Sequence, residues 1–256
     1  MSSLIRRDIE YGHDGTRMLG FLCAPAGAAA EPSASVGVLL VHDAFGVSDE
    51  MVAIAAQLAA AGHPVLVADV WGDRRLPAEE AEIGPLIGSM VTDRPRWLAR
   101  VGAAHAAALG QPEFAGRAIA LLGYCFGGSS ALEYLRTGAE VAGVVSVHGG
   151  LDLLAPDWSA ARPSSVLICT GADDPMATAE MRADLTGALS TAGMDWQLHL
   201  YSDTRHAFTS PKAQHSPTPD VIAYNPRSAA RAWDATSRFL REIAAPAPDT
   251  TRNTHA

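Results

Sequence analysis

The sequence predicts an α/β fold: a mostly parallel sheet of about eight strands, covered by helices on both faces. Three observations lead there. Short apolar, β-rich runs recur along the chain, and such runs suit strands buried on both faces. Long Ala-rich stretches with helical spacing separate them, as in a parallel sheet built from alternating strands and helices. The 256 residues are 48% hydrophobic and 18% charged, enough apolar material for a sizeable core and too much for wholesale disorder.

In chain order, Ile5 to Tyr11 and Thr16 to Ala24 flank His13-Asp14-Gly15, a hairpin signal, so two antiparallel edge strands are expected to open the chain. Ala26 to Ser35 is an Ala/Gly/Pro/Ser loop. The buried strands follow as Val36 to Val41, Val65 to Asp69, Ala118 to Leu122, Gly143 to Val147, Val166 to Thr170 and Gln197 to Tyr201. Helices are expected over Glu50 to Ala61, Trp97 to Leu109, Ser129 to Thr137, Ala177 to Ala192 and Ser228 to Ile243. Gly72 to Pro95, with Pro77, Pro85 and several glycines, reads as an irregular excursion able to cover a pocket. No repeat and no second composition regime interrupts this pattern, so one domain is expected over 1–244, and 245–256 reads as a disordered tail.

With 19 Lys+Arg against 28 Asp+Glu, the formal net charge is −9, and no basic cluster is longer than a pair. That balance argues against nucleic acid or an anionic membrane as partner. No apolar run approaches the roughly 18 to 20 residues of a membrane span and no signal-peptide pattern opens the chain, so a cytoplasmic protein is expected. Cys23, Cys125 and Cys169 are odd in number and never form CxxC, which suggests thiols rather than disulfides or a zinc site.

The strand Ala118 to Leu122 runs straight into Gly123-Tyr124-Cys125-Phe126-Gly127-Gly128 and then into a helix. This is the pattern of a nucleophile elbow with Cys in place of Ser. The turn is too tight for side chains two residues either side of the nucleophile, which accounts for the glycines, and the reactive atom sits at a helix N-terminus that favours thiolate. The competing readings are a structural cysteine in a Gly-rich turn and a phosphate loop. A Walker-type phosphate loop would carry a Lys that Gly128-Ser129-Ser130 lacks.

In hydrolases with such an elbow the acid follows the nucleophile and the histidine comes last. Here one strand ends in Gly171-Ala172-Asp173-Asp174-Pro175, and the last is followed by Ser202-Asp203-Thr204-Arg205-His206. Both sites lie beyond the carboxyl ends of strands, where open α/β sheets bind their ligands. Of the adjacent acids Asp174 is the candidate, because Pro175 fixes the turn after it and leaves Asp173 to cap or to face solvent. The first buried strand ends in His42-Asp43-Ala44-Phe45-Gly46-Val47. The N–H groups of Ala44 and Phe126 are the candidate oxyanion donors. Asp43 is expected near Cys125, with capping of the turn before the next helix as its other reading.

These residues together resemble the dienelactone hydrolase family: Gly123-Tyr-Cys-Phe-Gly-Gly, Asp43-Ala-Phe-Gly-Val, Gly171-Ala-Asp-Asp174-Pro and His206-Ala-Phe, in family order over roughly residues 5 to 243. The resemblance implies a single α/β-hydrolase domain without a large cap, and a Cys125, Asp174, His206 triad. It implies cleavage of a small ester or lactone through a thioester acyl-enzyme, with no cofactor and no metal. It also gives Asp43 the place of a glutamate that takes the thiol's proton, one methylene shorter here. Members that cleave dienelactones clamp the substrate carboxylate with two arginines. At one of those positions this chain has Ser210, and Arg74, Arg75, Arg94 and Arg96 are candidates for the other. Tyr124, His148 and Phe208 are expected as pocket walls or core.

The expected function is therefore hydrolysis of a small ester or lactone by a monomer or small homo-oligomer. The alternatives are an acyltransferase or thioesterase with the same triad, and a non-catalytic ligand-binding or sensor protein on this fold.

Overall fold

The structure, a computed structural model, describes residues 3–27 and 35–244. Most of the Ala/Gly/Pro/Ser loop and the expected tail over 245–256 lie outside the described residues. The chain opens with a hairpin of β1 (Leu4–His13) and β2 (Thr16–Pro25). Its turn residues, Asp14 (φ 48°) and Gly15 (φ 72°), both take the left-handed conformation that a two-residue hairpin turn requires. Of these two strands only β1 is an edge strand, because β2 also pairs antiparallel with β4 (Val65–Ala68), and this joins the hairpin to the parallel sheet.

The remaining strands are β3 (Gly37–Val41), β5 (Ile119–Tyr124), β6 (Gly143–Val147), β7 (Ser165–Gly171) and β8 (Asp195–Tyr201), all parallel with β4. The order across the sheet is β1-β2-β4-β3-β5-β6-β7-β8. Side chains alternate between two apolar cores. Leu39, Val41 and Leu121 point to one face, and Val38, Leu40 and Leu122 to the other. The first face is covered by α2 (Ile83–Thr92), α3 (Arg94–Leu109), α4 (Phe126–Arg136) and α5 (Ala179–Thr191). The second is covered by α1 (Asp49–Ala60) and α6 (Pro226–Ala244), through Met51, Ala55, Leu58, Ala235 and Phe239 among others.

The excursion over Gly72 to Pro95 is less irregular than its prolines and glycines suggest, since it contains all of α2 and the start of α3. Pro85 and Pro95 fall in the first turns of these helices, where a backbone N–H would have no intrahelical acceptor, so proline costs little there. Asp93 caps α3 by accepting the Arg96 N–H at 3.2 Å. The N-cap of α1 is Ser48, which accepts from Met51, and Asp43 caps the turn before it by accepting the Phe45 N–H at 2.8 Å.

This topology sets up the site. Strand order reverses at β3, so the loops after β3 and β5 flank the crevice where α/β sheets bind ligands. Register pairs Val41 with Gly123, Tyr124 with Val147, Val147 with Cys169 and Gly171 with Tyr201, so the residues that follow β3, β5, β6, β7 and β8 share one rim.

Candidate active site

Cys125 joins β5 to α4 with φ 52° and ψ −120°, a left-handed conformation that a side-chain-bearing residue adopts only when its surroundings impose it. Those surroundings are glycines. A Cβ on Gly123 would fall on the Gly127 carbonyl, and one on Gly127 on the Val41 carbonyl, so no larger residue fits while the elbow keeps this shape. The Cys125 N–H is held by Val147 O at 3.0 Å and by His148 Nδ1 at 3.1 Å.

His206 lies beyond β8, and its backbone is clamped on both sides: its N–H donates to Val221 O and its carbonyl accepts from Ala223. Its Nε2 is 3.1 Å from Cys125 Sγ and its Nδ1 is 2.9 Å from Asp174 Oδ2. Asp174 is buried, with its other oxygen accepting the Met176 N–H at 2.9 Å, whereas Asp173 is exposed. Burial works against an imidazolium at His206, yet the negative charges of Cys125 and Asp174 outweigh it and raise the ring to about 10.

The loop after β3 is pinned from two directions. His42 Nδ1 donates to Asp43 O at 2.5 Å while its Nε2 accepts the Val70 N–H at 3.1 Å. The Trp71 indole donates to Ala44 O at 3.2 Å, fixing the peptide plane next to the candidate oxyanion donor. Neither the Ala44 nor the Phe126 N–H donates to another described residue. The Phe126 ring is core, stacked between Trp71 (centroids 4.6 Å apart) and Trp97 (5.2 Å), which anchors the start of α4.

The sequence model of the dienelactone hydrolase family matches residues 22–244. The chain belongs to that family. Its membership makes it a hydrolase acting on small molecules. A dienelactone hydrolase-like promiscuous phosphotriesterase from metagenomic libraries is 32% identical over 94% of this chain and 99% of its own, with a TM-score of 0.84. The dienelactone hydrolase of Anabaena variabilis, 20% identical over 94% of this chain and 96% of its own (TM-score 0.63), has the same fold. So does Pyrococcus horikoshii acylaminoacyl peptidase, 11% identical over 93% of this chain and 42% of its own (TM-score 0.70). No curated protein matches the chain by sequence.

The other residues singled out in this dienelactone hydrolase family member have contacts of their own. The Asp43 carboxylate makes no hydrogen bond to Cys125. It accepts the Phe45 N–H of its own loop at 2.8 Å. Burial, with Glu50 adding, pushes it up to about 6, against the lowering effects of the Phe45 N–H and Lys212. All four candidate arginines are engaged elsewhere: Arg74 with Asp8 and the Leu19 and Gly20 carbonyls, Arg75 with Glu82, Arg94 with Glu133 and Leu153 O, and Arg96 with Asp93 and Ser89 O. Phe208 is wholly buried against Tyr201 and His148, so it is core and lines no opening. Tyr124 lines a cavity and His148 is buried between that cavity and the Cys125 amide.

Sequence reasoning missed Thr209, bonded to His148, and Glu50, which accepts the Ser210 hydroxyl at 2.9 Å. Glu50 is 160 positions from Ser210, and nothing local marks the pair. Among the described residues no group of three or more His, Cys, Asp or Glu converges where a metal could sit. None of their helices is long and apolar enough to cross a membrane.

Proposed function

We propose that the protein cleaves small esters or lactones with Cys125 as nucleophile, through a thioester acyl-enzyme. What supports this above all is the unbroken line Asp174 Oδ2, His206 Nδ1, His206 Nε2, Cys125 Sγ, with gaps of 2.9 and 3.1 Å. The Cys125 thiolate attacks the carbonyl carbon, and the displaced electron pair moves to oxygen, where the Ala44 and Phe126 N–H groups receive it. As the C–O bond breaks, His206 Nε2 gives its proton to the departing alkoxide. The neutral imidazole then takes a proton from water, whose oxygen attacks the thioester, and the carboxylic acid leaves with the thiolate and imidazolium restored. Asp174 holds the His206 tautomer and balances the imidazolium charge. Asp43 orders the loop that presents the Ala44 N–H, since its carboxylate bridges that loop at Phe45.

The phosphotriesterase relative at 32% identity favours a second substrate class, neutral phosphotriesters, whose phosphoryl oxygen would use the same pair of N–H groups. The test is a panel of lactones, short acyl esters and an aryl phosphotriester, with Cys125→Ala as control and mass spectrometry of enzyme quenched during turnover. An adduct of acyl mass on Cys125 is expected. Turnover undiminished in Cys125→Ala would overturn the mechanism. Transfer of the acyl group to an alcohol or thiol in preference to water would make the protein an acyltransferase, and binding without turnover a sensor.

A further inference from the structure

A cavity of about 450 Å³ lies between α1 and α6, with Tyr124 in its wall, a volume within the range of small-ligand sites. Neither Cys125 nor His206 lines it, and it is linked to the candidate chemistry through two neighbours of the nucleophile. Tyr124 precedes the nucleophile in the chain, and Thr209, also in the lining, is 2.8 Å from His148 Nε2, the histidine that holds the Cys125 amide. The composition of the lining is selective. Tyr124, Tyr224 and Trp233 bring three aromatic rings to it, and Glu50 is its only formally charged residue. The Glu50 carboxylate has no cationic side chain against it among the described residues; its one hydrogen bond is from the neutral Ser210 hydroxyl. The nearby Lys212 acts on Asp43 and lies outside the lining.

Aromatic faces and a carboxylate without a counter-ion attract the same kind of group, an ammonium or other cation with an apolar shell, and both disfavour a carboxylate. We propose that this cavity is the subsite for the end of the substrate remote from the scissile bond, and that it selects esters bearing a quaternary or protonated ammonium group over neutral ones, and neutral over anionic. The proposal rests on the hydrolytic reading of Cys125, His206 and Asp174. It assigns to Glu50, Tyr224 and Trp233 the role of specificity determinants, and it explains why Ser210 is bonded to an acid where a carboxylate-binding pocket would need a base.

The experiment compares three acetate esters of matched size: the choline ester, its carbon isostere 3,3-dimethylbutyl acetate, and 2-sulfoethyl acetate. The choline ester is expected to exceed the isostere by about tenfold in kcat/KM, in keeping with a desolvated cation–aromatic contact, and the sulfonate to be slowest. Glu50→Gln and Trp233→Leu should each reduce the cationic-to-neutral ratio severalfold, and because the readout is a ratio within each variant, general losses of activity cancel. A ratio near one in the unaltered protein, or one unmoved by both substitutions, overturns the subsite while leaving the hydrolase reading intact. If none of the three esters turns over and the wider ester panel also fails, the hydrolase reading falls. Binding of butyltrimethylammonium, followed by tryptophan fluorescence with Trp233→Phe as reference, then decides the cavity's ligand. Saturable binding weakened in Glu50→Gln supports it, and no saturation sinks it.

Discussion

His148 Nδ1 accepts the backbone N–H of Cys125 at 3.1 Å, so the histidine ring must be unprotonated at the atom facing the nucleophile. The other nitrogen is 2.8 Å from Thr209 Oγ1, which fixes a tautomer with the proton on Nε2. Burial, reinforced by the neighbouring His206, pushes the ring well below the usual histidine range, so it stays neutral. His148 itself has φ 39°, and two consecutive strand ends therefore meet through residues in left-handed conformations, each restraining the other.

Replacement of His148 should loosen the elbow without removing any reacting group. His148→Phe is expected to lower kcat by roughly tenfold to a hundredfold, the range that corresponds to losing one buried hydrogen bond, with KM changed much less. His148→Gln, which can still present an acceptor to the Cys125 N–H, should recover part of the loss. Steady-state kinetics on a neutral ester reads both. Equal kcat in the two variants would mean that the ring only fills space.

Alkylation should be selective among the three thiols. Cys23 and Cys169 are wholly buried, and burial pushes both up, Cys169 to about 12, whereas Cys125 is partly exposed and within reach of His206. One equivalent of iodoacetamide should abolish hydrolysis and label Cys125 alone, as read by peptide mass mapping. Activity retained in protein fully labelled at Cys125 would exclude it as nucleophile.

The adjacent acids should separate cleanly. Asp174→Asn is expected to cut kcat by about 10⁴, since an amide cannot hold the same histidine tautomer or balance its charge. The exposed Asp173 makes no side-chain hydrogen bond among the described residues, so Asp173→Asn should change kcat by less than about twofold. A reversed ranking would move the acid to Asp173.

The parts of this architecture that local chemistry writes into sequence are the legible ones. Val38 to Val41 and Ile119 to Leu122 are apolar at consecutive positions because both faces of their strands are covered, and that pattern, alternating with helical stretches, implies a parallel sheet. The elbow is legible because its crowding forbids a Cβ at Gly123 and Gly127. Helix α2 escaped notice because Gly84, Pro85 and Gly88 look like breakers, although the proline stands in its first turn. The contacts of His148 and Glu50 were out of reach for another reason. Each depends on where the fold brings a side chain across space, to Cys125 and to Ser210, and one-dimensional spacing does not encode that direction.

Asp43 offers a pH-dependent test that needs no substrate. Its carboxyl is held up at about 6, chiefly by burial, whereas in an unfolded chain an aspartate titrates near 3.9. Between about pH 4 and 6 the folded protein therefore binds a proton that the unfolded chain has released, and stability from this group falls as pH rises through that window. Above about pH 6 the ionised, half-buried carboxylate carries the full cost. Asp43→Asn removes the charge while its amide oxygen can still accept the Phe45 N–H, so the variant should be more stable than the unaltered protein at pH 8. After allowance for the part of Asp43 open to solvent, the expected difference is about 1 to 2 kcal/mol. The gap should close as pH falls below about 4, where both forms are neutral at this position. Urea unfolding of the two proteins at pH 8, 6 and 4.5 measures it, and because all other groups are shared, their titration cancels in the difference. A gap independent of pH, or a variant less stable at pH 8, would mean that Asp43 stays ionised at little cost and that the Phe45 N–H and Lys212 outweigh its burial.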